Sequence, residues 1–407
     1  METLQPKLRF PDYYNKYDNI LFKDVVDSYG YGPRFNANDY SETGNVKTIR
    51  GTDISLEGEI KYIQVPTALL DDNTVKTHRL LDGDLVMITT ADCGLTGVFR
   101  KQNIDFIPSA YAVRIRLKDN TNSFYFKYFF QTKLSKNQVD KFIRKATVAN
   151  LPGSDILKFN INLPNFEEQT KIASFLSAVD EKLNLLKEKK SLLEEYKKGI
   201  MQKIFNQEIR FKDDNGNEFE DWKYSVLSSV FNISTGKSKS NFIENDGKYI
   251  IVDMGGISSN CKLIAKKHTN YNKEILNIGD LIMPKDDIGV GLIIGKTVVI
   301  NENDKYILGD HVYKLVLKNN TFNPIFFSYY INSDKINIEL RRKTNGTAQI
   351  SLNKDAIYEQ SVFIPDVIEQ NKIANFFSAI DEKIELVSNQ IQDTQEYKKG
   401  LLQKMFV

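Results

Sequence analysis

Apolar and polar positions follow two different rhythms along this chain. Over two stretches the apolar residues recur at heptad spacing, as the buried face of a long helix requires. In the first stretch they are Ile172, Leu176, Val179, Leu183, Leu186, Leu193, Ile200 and Ile204. In the second they are Ile373, Phe377, Ile380, Ile384, Val387, Ile391, Leu401 and Met405. Lys190, Lys197, Thr394 and Lys398 interrupt the stripes. Each stretch opens with a proline, a polar cap and a glutamate three residues after the cap: Pro164, Asn165 and Glu168, then Pro365, Asp366 and Glu369. Such a cap accepts from the N–H groups that a first helical turn leaves unpaired, and the glutamate reaches back to the cap. The pattern predicts helices over residues 165–206 and 365–407.

Ahead of each helix the rhythm is that of a mixed α/β domain. Short apolar runs at 84–89 and 112–117, and at 249–252, 281–283, 291–300 and 312–317, read as strands. Aromatic-rich segments at 123–131 (SFYFKYFFQ) and 324–331 (PIFFSYYI) read as helices. Rings clustered on a helix are core material rather than a stacking platform for bases.

The two rhythms occur twice in the same order. Residues 162–206 and 363–407 align without a gap at an offset of 201, with 21 of 45 positions identical. Fainter echoes keep the order: Leu8-Arg9-Phe10 with Ile209-Arg210-Phe211, Gly83-Asp84-Leu85 with Gly279-Asp280-Leu281, and 117–121 with 317–321. The chain therefore divides into a variable domain (1–164), a helix (165–206), a second variable domain (207–364) and a second helix (365–407). The expected fold is α+β, a pseudo-two-fold internal repeat in which two long antiparallel coiled-coil helices separate two mixed α/β domains. About 40 helical residues make a rod of roughly 60 Å, a length suited to holding two domains at a fixed separation. Alternatively, each helix packs on its own domain alone.

Composition narrows the function. With 41% hydrophobic and 27% charged residues the chain is of globular type. No apolar run is long enough to span a bilayer, and the first residues lack the apolar core of a signal peptide, so a cytoplasmic location is expected, without a membrane partner. A net charge of +2 is neutral with respect to nucleic acid. Cys93 and Cys261 are far apart, and His78, His268 and His311 form no ligand cluster, so no metal site is expected. Gly236-Lys237-Ser238 lacks the first glycine of a phosphate loop, because Phe231 stands there. Gly289-Val290-Gly291 with Gly295 misses the dinucleotide fingerprint. No nucleophile, base or metal constellation is present, and no catalytic residue is assigned.

Candidate contacts to double-stranded DNA lie in polar loops carrying cations: Lys237 and Lys239 in STGKSKS; Arg341, Arg342, Lys343 and Gln349 in RRKTNGTAQ; and Arg144 and Lys145 in RKAT. Lysine and arginine neutralise phosphates, while arginine and glutamine read base edges. Each loop taken alone reads as an ordinary solvated turn. The pairs Arg144-Lys145 and Arg342-Lys343 stand at corresponding distances ahead of the two helices, which favours a common role. The helix-pair packing is assigned to Ile172, Leu176, Val179, Leu183 and Leu186 of the first helix and Ile373, Phe377, Ile380, Ile384 and Val387 of the second.

The motif PxxxEQxKIAxFxSAxDEK, a long helix ending EYKKGxxQKxF, and the recurrence of both after a variable domain closely resemble the DNA specificity subunit of type I restriction–modification systems. The run GTAQISLN at 346–353 also fits; the first half departs from it, with ATVANLPGSDI at 146–156. The resemblance implies two target-recognition domains, each reading half of a bipartite site, and helices that set the unread spacer and dock two methyltransferase subunits. Restriction (motor-nuclease) subunits would join the complex. S-adenosylmethionine, ATP and Mg²⁺ would be bound by those partners, with no cofactor in this chain. The rival readings are a coiled-coil scaffold protein without DNA binding and a detached specificity domain of a fused enzyme.

Overall fold

The computed structural model describes residues 5–144, 147–288, 293–346 and 349–407. The chain forms two compact units. The first comprises Met1–Lys187 with Asn389–Val407, and the second Glu188–Ser388. Each unit thus takes in one variable domain, the first half of the helix that follows it, and the last half of the other helix.

In the first unit a four-stranded antiparallel sheet has the order Val26–Tyr31, Ala112–Leu117, Leu85–Ile88, Thr96–Val98. A three-stranded sheet runs Thr67–Ala68, Val46–Ile49, Asp105–Pro108, its last two strands parallel. Asp18–Leu21 pairs with Asn160–Leu163 just before the helix. The second unit repeats the plan: Phe231–Thr235, Val312–Leu317, Leu281–Pro284 and Val298–Val299; then Lys267–Thr269, Tyr249–Val252 and Tyr306–Leu308; then Lys223–Val226 with Ser361–Ile364. The duplication therefore extends through the parts where sequence identity has faded. The expected strand over 291–300 is narrower, at Val298–Val299, and residues 289–292 lie outside the described residues.

The continuous apolar strands are explained by burial on both faces. Leu85 and Met87 enter one core, while Val86 and Ile88 enter another behind the sheet. Leu281 and Met283 are separated from Ile282 in the same way. Alternate side chains of a strand point to opposite faces, so such a strand has no polar side. The aromatic helices Ser123–Phe129 and Pro324–Asn332 are capped by Asn122 and Asn323, whose side chains each accept from two backbone N–H groups. Tyr125, Phe126, Tyr128, Phe326, Phe327 and Tyr330 are almost wholly buried, as core rings.

The long helices are Phe166–Phe205 and Val367–Met405. In the first unit Ile172, Leu176 and Val179 share a core with Leu401 and Met405 as well as with the domain's sheet. In the second, Ile204 and Phe205 share one with Ile373, Phe377, Ile380 and Ile384. Within each unit the two helical segments run antiparallel: Asp180 meets Lys398, whereas Leu401 and Met405 lie with Ile172 and Leu176. The stripes thus face a partner helix and a domain at once. Of the ten seam residues, nine are buried and Leu186 is half-buried.

Candidate nucleic-acid interface and the helix joint

Each helix starts at a joint built from charged side chains. Arg9 donates to both carboxylate oxygens of the buried Glu168 at 2.8 Å, and the Tyr17 hydroxyl donates to the same group at 2.9 Å. Burial, reinforced by Glu168, pushes the Tyr17 phenol well up, so it remains a donor. Gln169 accepts from the Asn122 N–H and donates to the Pro164 carbonyl. The second joint repeats these contacts. Arg210 donates to Glu369 at 3.2 and 2.8 Å, Trp222 Nε1 donates at 3.1 Å, and Gln370 links Asn323 to Pro365. The glutamates therefore do not close a capping box. Asn165 does accept from the Glu168 N–H at 2.9 Å, but the carboxylate turns inward to the arginine, a stronger charge-assisted partner than a backbone amide. Asp366 accepts from the Ile368 N–H.

Two of the lysines that interrupt the stripes have partners on the facing helix, whereas Lys190 lies 3.9 Å from Glu194 of its own helix. Lys197 contacts both oxygens of Asp381, at 2.6 and 2.7 Å. Lys398 stands 2.6 Å from Asp180, both nearly buried. Asp180 also accepts from the Tyr128 hydroxyl at 2.8 Å and lies 3.8 Å from the buried Lys127, which is paired with Glu59. Asp180 and Asp381, like Lys197 and Lys398, are separated by the repeat offset.

The candidate DNA contacts are placed unevenly. Lys237 is exposed. Lys239 is only 4% exposed, its ammonium held by Glu274 and the Lys237 carbonyl over the Tyr271 ring, so it presents no charge to solvent in this state. Arg341 and Arg342 lie in the last turn of the helix Asp334–Arg342 rather than in a loop, where cations complement the helix dipole. Lys343 follows it and donates to the Gln360 side chain at 3.0 Å. Gln349 is exposed on the strand Gln349–Ser351, which pairs with Asp286–Ile288. Arg144 is largely exposed and lies 3.8 Å from Asp155. Lys145 lies outside the described residues, as do Ala146, Thr347 and Ala348.

The correspondence of Arg144 with Arg342 is corrected by the backbone. Arg144 bridges Asn150, and Asn345 bridges Ser351, so Arg144 corresponds to Asn345. Arg342 thus stands three positions ahead of the counterpart of Arg144, at the end of a helix. Sequence reasoning also missed Arg34. Gly32 and Gly236 each turn where a Cβ would lie 1.8 Å from the Pro108 carbonyl oxygen or 2.2 Å from that of Gly309. An exposed cation follows each glycine within two residues, Arg34 in one copy and Lys237 in the other. Only the strand pairing brings these positions into register, because local identity there is too low. Among the described residues no group of acidic, histidine or cysteine side chains could hold a metal ion. Among the described residues, no helix is long and apolar enough to cross a membrane.

The sequence matches the family described as the type I restriction modification DNA specificity domain twice, over residues 15–195 and 219–395. It is 24% identical over 286 residues to the type I restriction enzyme MjaVIII specificity subunit of Methanocaldococcus jannaschii, covering 67% of each chain. It is 23% identical over 353 residues to the putative MjaX specificity subunit of the same organism, covering 81% of this chain and 78% of that one. The fold is similar to the crystal structure of the type I restriction–modification S subunit from M. genitalium, with a TM-score of 0.61 over 99% of both chains at 16% identity. The chain therefore belongs to the DNA specificity subunits of type I restriction–modification systems, non-catalytic proteins that recognise DNA sequence within the restriction–modification complex.

Proposed function

We propose that this subunit reads a bipartite DNA site, one half with each variable domain, and directs methyltransferase and restriction subunits to it. The observation that carries this reading is the repetition of a whole domain together with its joint, down to Arg9–Glu168 and Arg210–Glu369. Two readers of one construction, whose loops have diverged while the joints have not, suit two different half-sites. The helices then act as the ruler that sets the unread spacer.

Support for two identical partners comes from the solvent face of the helices. Leu185 and Leu386 are 58% and 59% exposed, and Tyr196 and Tyr397 are 51% and 55% exposed. Each pair is separated by 201 residues. Large apolar side chains repeated on a surface mark docking sites, and two equal patches fit two copies of one methyltransferase subunit. S-adenosylmethionine, ATP and Mg²⁺ belong to those partners in this reading. The cations Lys237, Arg341, Arg342 and Arg144, with Arg34, serve phosphates, and Gln349 serves a base edge.

Mapping methylated bases in cells with and without the gene tests this. The expected result is a single two-part motif with a fixed unread spacer, present only with the gene. An unchanged methylome with active partners present would overturn it and favour the scaffold reading.

A further inference from the structure

Three segments meet at one end of each variable domain, and an exposed ring stands between them. In the first domain the Thr89 N–H donates to the Tyr111 carbonyl at 2.9 Å, and the Leu151 N–H to the Thr89 carbonyl at 2.8 Å. The segment carrying Tyr111 thus lies beside residues 89–91, which in turn lie beside 149–151. On its other side the Gly32 N–H donates to the Ala112 carbonyl, and a Cβ on Gly32 would strike the Pro108 carbonyl oxygen. The turn that carries Arg34 therefore abuts the turn that carries Tyr111. The second domain repeats the frame. The Lys285 N–H donates to the His311 carbonyl and the Leu352 N–H to the Lys285 carbonyl, both at 2.9 Å, while Gly236, just ahead of Lys237, packs on the Gly309 carbonyl.

The frame is shared, but the exposed side chains on it are not. Tyr111 is 64% exposed, and the side chain of His311, its counterpart, is 51% exposed. The bridges Arg144 to Asn150 and Asn345 to Ser351 fix the register of the third segment. Val148, 53% exposed, then stands where the second domain has the exposed Gln349. The His311 ring is held by Asp286, which lies opposite Ser351 in the short sheet. Burial opposes ionisation of Asp286, but hydrogen bonds from Ser351 and His311 outweigh it and hold the carboxyl below its usual range. An ionised carboxylate only accepts, so His311 Nδ1, 2.6 Å from Asp286 Oδ2, carries the hydrogen. Nε2 is left for another partner: Asp310, at 3.9 Å, is beyond hydrogen-bond length.

We propose that Tyr111 with Val148 in the first domain, and His311 with Gln349 in the second, touch base edges and set which base pairs each half-site requires. This rests on the two-reader function above. Cations at phosphates fix a protein's register on the duplex but carry no sequence information, and the side chains standing among them read the groove. Tyr111 stands between the turn of Arg34 and the bridge of Arg144 to Asn150. His311 stands between the turn of Lys237 and the strand of Gln349. Tyrosine is enriched on surfaces that a partner covers. The two pairs also differ in chemistry, as two different half-sites require. Valine offers an apolar contact of the kind a thymine methyl takes, and a phenol hydroxyl both gives and accepts a hydrogen bond. A glutamine amide matches N6 and N7 of adenine, and the imidazole Nε2 adds one further polar atom.

The test uses the subunit purified with its methyltransferase partners, and duplexes bearing the recognised site or one altered base pair in either half. Competition titrations give the discrimination ratio at each base pair for the parent and for Tyr111→Ala, Val148→Ala, His311→Asn and Gln349→Ala. The first two and the last replace exposed side chains. Asparagine at 311 tolerates the left-handed backbone found there, φ 59°, and keeps a donor for Asp286. Discrimination should fall about tenfold at one or two base pairs. The losses of Tyr111→Ala and Val148→Ala should lie in one half-site and those of His311→Asn and Gln349→Ala in the other. The salt slope should match the parent, because no phosphate contact is lost. Parent-like ratios in Tyr111→Ala or His311→Asn, losses from both in the same half, or uniform weakening on every sequence with a lower salt slope would overturn the proposal. Failure of the two-reader function is read separately, from the parent complex: its ratios would then show no two blocks of discriminated base pairs.

Discussion

Lys197 in the central helix grips both carboxylate oxygens of Asp381 in the C-terminal helix, at 2.6 and 2.7 Å. The repeat-related pair, Lys398 with Asp180, is made at 2.6 Å in the other unit. The chemistry is the same but the burial differs: the side chains are 22% and 44% exposed in the first pair and 7% and 10% in the second. Losing one partner of a buried pair strands a charge, at about 3–5 kcal/mol, whereas a half-exposed pair contributes about 1 kcal/mol or less. Asp180→Ala should therefore destabilise the protein several times more than Asp381→Ala in urea unfolding. Equal losses would show that burial does not set the strength of these bridges.

The joint offers an optical test. Trp222 is the only tryptophan of the chain and donates to Glu369, which Arg210 also grips. Glu369→Ala leaves the indole N–H without its acceptor and the guanidinium with only the Glu220 carbonyl and the exposed Asp221, a loss of about 3 kcal/mol. Its tryptophan emission should shift to the red and its melting temperature should drop. Arg9→Ala should lower the melting temperature while leaving the emission unchanged, because that joint holds no tryptophan. A red shift in Arg9→Ala would contradict the separate construction of the joints.

Leu183 and Ile384 are buried at the helix seam. Leu183→Asp or Ile384→Asp places an unpaired carboxylate there, at several kcal/mol, and should abolish assembly with the methyltransferase subunits. Leu186, half-buried, should tolerate the same change better. Gel filtration of the co-expressed complexes checks this; two core variants that assemble and melt like the parent would refute the packing described.

The basic residues separate into surface and structural cations. Ala in place of Lys237, Arg342 or Arg34 should weaken binding to every DNA sequence and lower the salt slope by about one unit per lost phosphate contact. Lys239→Ala should act differently: it takes the ammonium away from Glu274 and the Tyr271 ring and should lower thermal stability with the salt slope unchanged. Salt titrations of the purified complex distinguish the two classes, and a slope change confined to Lys239 would reverse the assignment.

What was legible in the sequence follows from where selection leaves a pattern. The long helices announce themselves through period and repeat identity, and the central strands through short apolar runs. Paired charges hid in plain view. Lys197 and Lys398 read as flaws in a stripe because the period method counts only apolar side chains, although Asp180 and Asp381 recur at the same offset. Glu168 and Glu369 read as caps because a cap is local, whereas their partners Arg9 and Arg210 lie 159 residues away. The helices Lys133–Phe142 and Asp334–Arg342 escaped notice because few apolar residues mark their buried faces. Arg341 and Arg342 consequently read as loop residues in the sequence, although they end a helix. Lys239 shows the limit of reading cations by composition: a lysine in a Ser- and Gly-rich segment can fold inward when an acid such as Glu274, far along the chain, receives it.

In the proposed function two separable readers share one ruler. The most direct measurement is the methylated motif of cells carrying a chimaera in which residues up to 164 come from a homologue of different specificity. One half of the motif should change to that of the donor, while the other half and the spacer length remain. Replacement of both halves together, or a changed spacer with unchanged halves, would contradict it.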